Sequence, residues 1–227
     1  MLLEEIGRGG HGVVHRALDL RTRRHVAAKV LRGADPEALQ RFVREQGHRV
    51  EHPHVLAPLG WAAEDDVALL AMELVLGGSV RDLLATRGPL PDAVLAPLLG
   101  QLLDALAAVH AEGLVHGDVK PSNLLLRAGA RPHLLLADFG VATRWHEPVG
   151  PAGTPAFLPP ERLAGAPPDP SQDVYAAGLV ARRALAGPAP LLTLCDSMTR
   201  PDPERRPTAA EALRRLRELT GPISGRC

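Results

Sequence analysis

The run HGDVKPSN, His116 to Asn123, places a carboxylate, an ammonium and a carboxamide within six residues. Asp118 can accept the proton of an attacking hydroxyl and align it, as a carboxylate within hydrogen-bond reach does. Lys120 brings a compact charge to the place where a transferred phosphoryl group gains negative charge. Asn123 offers a carbonyl oxygen to magnesium. Asp138, in ADFG twenty residues after Asp118, offers a carboxylate that can bridge the same ion to phosphates. Magnesium takes few protein carboxylates and completes its shell with phosphate oxygens and water, so one Asp with one Asn suits it. This chemistry is phosphoryl transfer.

Two further features belong with it. The 26 Lys and Arg residues include only two lysines, Lys29 and Lys120. Arginine serves wherever charge alone matters, and these two positions keep the compact ammonium that fits close to phosphate. Lys29, in VAAKV, lies at strand spacing after GRGGHGVV, where Gly7, Gly9 and Gly12 precede Val14. A GxGxxGxV loop without Cβ atoms lets backbone amides approach phosphates. A second strand follows it rather than a helix, which separates it from a Rossmann fingerprint. Glu45 is the best carboxylate to hold Lys29 in place, with Glu37 and Glu51 as alternatives.

These residues need a scaffold. The chain of 227 residues suits one domain or two fused lobes. Its 45% hydrophobic and 3% aromatic content predicts a core of Leu, Val and Ala. A formal charge of +0 argues against a nucleic-acid or anionic-membrane partner. No apolar run is expected to cross a bilayer, no signal peptide opens the chain, and Cys195 and Cys227 make neither a disulfide framework nor a metal cluster. A cytoplasmic setting is the expectation. The ten histidines show no metal spacing, and His116 reads as a packed residue.

Up to about residue 76 the pattern is strand-like. HGVVHRAL and HVAAKVL flank the hairpin LRTRR, and DVALLAMELV is a strand ending at Gly77–Gly78. One helix over 34–50 interrupts, with Asp35 as cap and Pro36 at its first position. Beyond, the chain turns helical. Ser79 caps VRDLLATRG, and LLGQLLDALAAVHAEG follows, begun or kinked at Pro97. A proline-rich loop covers 146–170, then DVYAAGLVARRALAG and TAAEALRRLRELT are helices. LRRLR is a solvated face.

The chain resembles a eukaryotic-type (Hanks-type) bacterial Ser/Thr protein kinase catalytic domain, from Gly7 to about Leu219. The glycine loop, VAAKV, RFVREQ, AMELV, HGDVKPSN, DFG, GTPAFLPPE, DVYAAG and DPERRPT carry the likeness in order. The resemblance implies an α+β bilobal fold, with an N-lobe over 1–76, a C-lobe over 77–227 and a hinge at 73–78. It implies an adenine slot lined by Ile6, Val14, Ala27 and Leu125, a gatekeeper at Met72, and hinge backbone near Glu73 and Val75. Phe139, Gly140, Thr143, Thr154 and Glu161 fall in an activation segment, where Arg206 is the partner of Glu161. ATP and Mg2+ are the implied cofactors, with Mn2+ a possible substitute, and a protein is the implied substrate. KPSN with Thr154 implies serine or threonine acceptors, the chain itself among them. A small-molecule kinase of the aminoglycoside or choline type, which shares HGD followed by Asn, is the alternative. A nucleotide-binding scaffold without activity is another.

Two departures stand out. Gly117 occupies the place where most members carry an arginine that receives an activation-loop phosphate, and only Thr143 and Thr154 bear hydroxyls between Asp138 and Glu161. Activity is therefore expected not to depend on phosphorylation there. ALAG also passes through PAP straight into LLTLCDSM, so the usual substrate-docking helix is expected to be missing, leaving Arg182 and Arg183 on a bared solvent face.

Overall fold

The computed structural model describes residues 1–9, 12–32, 50–64, 67–147, 152–187 and 190–221. Strands β1 (Leu2–Gly9), β2 (Gly12–Asp19), β3 (Arg24–Arg32), β4 (Pro58–Glu64) and β5 (Val67–Glu73) form one antiparallel sheet, ordered β1-β2-β3-β5-β4. Period-two alternation on β3 sorts its side chains. Ala27 and Lys29 take one face, while Val26, Ala28 and Val30 take the other. The register sets Val14 opposite Lys29 and Ala27 opposite Met72, so these four residues meet on neighbouring strands.

The helical part begins at α1 (Val80–Arg87), whose capping box is complete. Ser79 Oγ accepts from the Asp82 amide, and the Asp82 carboxylate accepts from the Ser79 amide. Its axis is α2 (Asp92–Ala111), with Leu103, Ala105, Leu106 and Val109 fully buried. Short pairs β6 (Leu114–Val115) with β9 (Thr143–Arg144), and β7 (Leu124–Arg127) with β8 (His133–Leu136), lie against it. Helices α3 (Pro160–Leu163), α4 (Pro170–Ala184), α5 (Pro190–Met198) and α6 (Ala209–Thr220) complete the lobe. One continuous cluster of Leu, Val and Ala runs from Val50 to Leu216. The two-part fold agrees with the α+β bilobal expectation.

Several details correct the sequence reading. Helix α2 starts at Asp92 and runs through Pro97. An interior proline costs about 3 kcal/mol, and burial of Leu95, Leu98 and Leu99, each worth about 1.5–3 kcal/mol, outweighs it. Helix α2 is long and apolar enough to cross a bilayer by length and composition alone, a test that a buried core helix also passes. It is instead packed as the axis of the helical lobe. The expected strand to Gly77 stops at Glu73, and β4, with Pro58 at its start, was not anticipated. The proline-rich loop contains the 3-10 turn Pro155–Phe157 and α3. Residues 34–49 of the helix expected over 34–50 lie outside the described residues, and Val50 carries no helix. Cys195 is buried, and burial pushes its thiol up to about 11, as suits an inert core residue.

Residues 185–189 connect α4 to α5, and among the described residues they carry no helix. The connection is pinned by Leu90, whose amide donates to Ala184 O at 2.7 Å and whose carbonyl accepts from Ala186 N at 3.0 Å. Helix α5 therefore packs directly on α4 at Gly178. A Cβ at Gly178 would stand 2.7 Å from Met198 Cβ and 3.0 Å from Thr199 Cγ2. Alanine gains up to about 1 kcal/mol over glycine inside a helix, but overpacking costs about 1–3 kcal/mol. The nearest neighbour is a Cβ fixed to backbone, so the cost wins. Gly178→Ala is expected to lower unfolding free energy by about 1 kcal/mol or more in urea denaturation. A stabilised variant would mean that α4 and α5 do not pack this closely.

Candidate active site

The site rests on a buried carboxylate in α4. Asp173 is 1% exposed and accepts from His116 N at 2.8 Å, Gly117 N at 2.9 Å and His110 Nε2 at 3.0 Å. Two successive amides can aim at one carboxylate because the chain turns at Gly117, where φ is +76°. Burial would raise the Asp173 carboxyl. The hydrogen bond and charge of His110, with the Gly117 amide, outweigh it and hold it below the usual carboxylate range.

The next residue is Asp118, 4% exposed and ringed by donors. Thr154 gives its amide at 2.9 Å and its hydroxyl at 2.7 Å, Asn123 Nδ2 stands at 3.1 Å, and Lys120 Nζ at 2.6 Å. Lys120 Nζ also donates to the Thr154 hydroxyl at 2.8 Å. The Asn123 amide group is committed to Asp118, donating to its backbone carbonyl at 2.9 Å as well. Asp118 N donates to His116 Nδ1 at 3.3 Å, so the ring proton sits on Nε2, which donates to Ala137 O at 3.1 Å. The imidazole is fully buried and packs edge-on to Phe139, centroids 4.8 Å apart, as expected of a packed residue.

Ala137 N donates to Asn123 O at 2.9 Å, tying the loop to the strand that leads into Asp138. Asp138 has a left-handed φ of +70°, uncommon for a residue with a side chain, and pairs with Lys29 Nζ at 2.9 Å. Lys29 is 7% exposed. A carboxylate at Asp138 and a carboxamide oxygen at Asn123 are hard oxygen donors of the kind magnesium takes, with most of the shell left to phosphate and water. Among the described residues no three His, Cys, Asp or Glu converge to hold a metal by themselves.

The residues expected to line an adenine slot fall on the sheet and on the strand pair β7–β8. Ala27 is buried; Met72, Val75 and Leu125 pack on Leu56, Leu135 and Ala137. Val14 and Gly7 face each other across β1 and β2, while Ile6 is 47% exposed. Gly9 and Gly12 form the pair of that hairpin at which β1 leads into β2, and a Cβ on Gly12 would press into Val30 O. The carboxylate of Glu73 takes two hydrogen bonds from Arg127 at 2.7 Å, which hold it below its usual range and tie the end of β5 to β7. Glu45 and Glu37 lie outside the described residues, and Glu51 is exposed.

The segment from Phe139 to Glu161 is anchored at both ends. Thr143 is 5% exposed and paired with Val115, and Trp145 Nε1 donates to Leu114 O at 3.1 Å. Gly140 is buried beside them. A Cβ on Gly153 would collide with Gly117 O, so the segment crosses the loop backbone to backbone just before Thr154. At the far end Arg206 clasps Glu161 with two hydrogen bonds at 2.6 and 2.9 Å and lies over Tyr175. Of the proposed site residues, hydrogen bonds and ion pairs join Asp118, Lys120, Asn123 and Thr154, Lys29 with Asp138, and Glu161 with Arg206. Sequence reasoning missed Asp173, His110 and Arg127. The one signal for Asp173 was an acid inside the apolar run DVYAAG.

The sequence matches the protein kinase domain family over residues 1–193. The serine/threonine-protein kinase PkaA of Streptomyces coelicolor is 33% identical over 269 aligned residues, covering 96% of this chain and 49% of the relative. The kinase pkn2 of Myxococcus xanthus is 38% identical, covering 83% and 24%, and PknL of Mycobacterium tuberculosis 37%, covering 82% and 49%. The chain spans about half the length, or less, of these relatives.

Asparagine at 173 offers one oxygen to two amides and turns its NH2 on the other. Asp173→Asn is expected to cost about 3 kcal/mol, read as a lowered Tm. A carboxyl depressed on folding gives stability that is complete above the unfolded value, about 3.9, and is lost as pH falls through the lower folded value. Wild type should therefore lose stability below about pH 4 more steeply than the variant. Parallel acid profiles would contradict this.

Proposed function

The chain belongs to the protein kinase domain family, and from that premise we propose that it transfers the γ-phosphoryl group of ATP to serine and threonine hydroxyls of proteins, itself included. In this reading the two lobes meet at 73–78, and the adenine enters the slot between Ala27, Val14 and Leu125. Lys29 turns from Asp138 to the α and β phosphates. Asn123 and Asp138 would hold magnesium, with manganese able to replace it; the ion neutralises phosphate charge. Asp118 aligns the acceptor hydroxyl and takes its proton, while Lys120 meets the charge that grows on the phosphoryl oxygens.

One observation carries this reading. The Thr154 hydroxyl donates to Asp118 at 2.7 Å and accepts from Lys120 at 2.8 Å, so the pair already holds a hydroxyl as an acceptor would be held. The short connection at 185–189 favours the alternative of a small-molecule acceptor, because less of the lobe is left to dock a protein. Against it, residues 152–161, closed by the Glu161–Arg206 pair, give a protein chain a surface beside Asp118.

We infer further that activity does not depend on phosphorylation of the segment. Gly117 has no side chain to receive a phosphate, Thr143 is buried in a strand pair, and Thr154 is engaged by Asp118. Asp173 does the holding instead.

Intact mass after incubation with Mg·ATP and a generic basic protein tests the reading, beside Asp118→Ala. Gains of one phosphate or more are expected on either protein, slowed about 100-fold or more in the variant. No gain with nucleotide still bound, or equal gains in both, would overturn it.

A further inference from the structure

The five-residue connection leaves the last turn of α4 uncovered beside the 3-10 turn Pro155–Phe157, and two arginines stand there. Both are exposed, but their charges fare differently. Arg182 is neutralised by Asp196 of α5 at 2.9 Å. Arg183 lays its guanidinium over the Phe157 ring, 4.9 Å from the centroid, and no carboxylate of the described residues pairs with it. The nearby Glu161 is committed to Arg206. A guanidinium stacked by its face keeps its rim of N–H donors free, in the fork geometry that matches a carboxylate. The stacking also fixes the fork, so little side-chain freedom is lost when a ligand arrives.

Phe157 lies three residues beyond Thr154, whose hydroxyl sits on Asp118. The hydrogen bond from Phe157 N to Thr154 O, 2.9 Å, keeps the two backbones within about 7 Å, and the guanidinium lies 4.9 Å beyond the ring, so an extended peptide at about 3.3–3.6 Å per residue reaches it within about four residues. We propose that Arg183 is a specificity-determining residue, selecting protein substrates with an aspartate or glutamate within about four residues of the phosphorylated hydroxyl. The inference rests on the protein kinase reading. It makes the bared end of α4 part of the substrate surface, held in place by Phe157.

The test uses the whole chain and serine peptides in which glutamate or lysine is placed in turn at each position around the acceptor. The readout is the ratio of kcat/KM for the glutamate and lysine peptides, with Tm and the KM for ATP followed alongside. Because it is a ratio, partial loss of folded enzyme does not move it. Wild type should prefer glutamate about fivefold at one such position, the upper end for an exposed ion pair. Arg183→Ala should bring the ratio near one, Arg183→Lys should keep part of it, and Arg183→Glu should invert it. A ratio of one at every position in wild type, or a preference that survives Arg183→Ala, overturns this inference alone. Transfer to neither the peptides nor the basic protein overturns the kinase reading, and this inference with it.

Discussion

A carboxylate buried in a helical lobe costs several kcal/mol unless its lone pairs are filled. Those of Asp173 are filled by two backbone amides and one imidazole, and the amides belong to the residues just before Asp118. This dependence runs both ways. Helix α4 tolerates a buried acid in its first turn because the loop turns at Gly117, and the loop keeps its shape because the acid is there. From this point the rest of the site follows along short bonds: Asp118 to Thr154 and Lys120, Asn123 to Asp118 and Ala137, and Ala137 onward to Asp138 and Lys29.

The two departures from the family pattern become one design in this frame. Where an arginine before Asp118 is absent, Gly153 crosses Gly117 directly, and Trp145 and Thr143 fix the near end of the segment. With no helix between α4 and α5 among the described residues, Gly178 lets the two pack in contact, and the arginines expected on a bare solvent face turn out to be employed. Arg182 ties α4 to α5, and Arg183 covers the ring of Phe157.

Most of the site was legible because its residues are local in sequence. His116 to Asn123 is one loop, Asp138 follows on a strand, and scarce lysine marks Lys29 and Lys120 against a background of arginine. The Glu161–Arg206 pair was legible only through the family likeness, since 45 residues separate its partners. Asp173 was hidden for the same reason: its partners lie 56 and 57 residues away, and no periodicity encodes which amides an acid will meet. Arg127 was hidden among many arginines. Helix boundaries failed where tertiary burial outweighed local preference, as at Pro97. Edge strand β4 failed because its short exposed run carries little alternation. The lysine-holding glutamate expected at Glu45 lies outside the described residues.

The central claim is that the catalytic loop is held ready by Asp173, not by a phosphate. The most direct measurement is the initial rate of phosphoryl transfer by enzyme stripped of phosphate, with intact mass showing none before the substrate is added. The account predicts full rate from the first turnover, with no lag. A lag that shortens as enzyme concentration rises, or a large loss of rate restored by phosphate at Thr143, would contradict it.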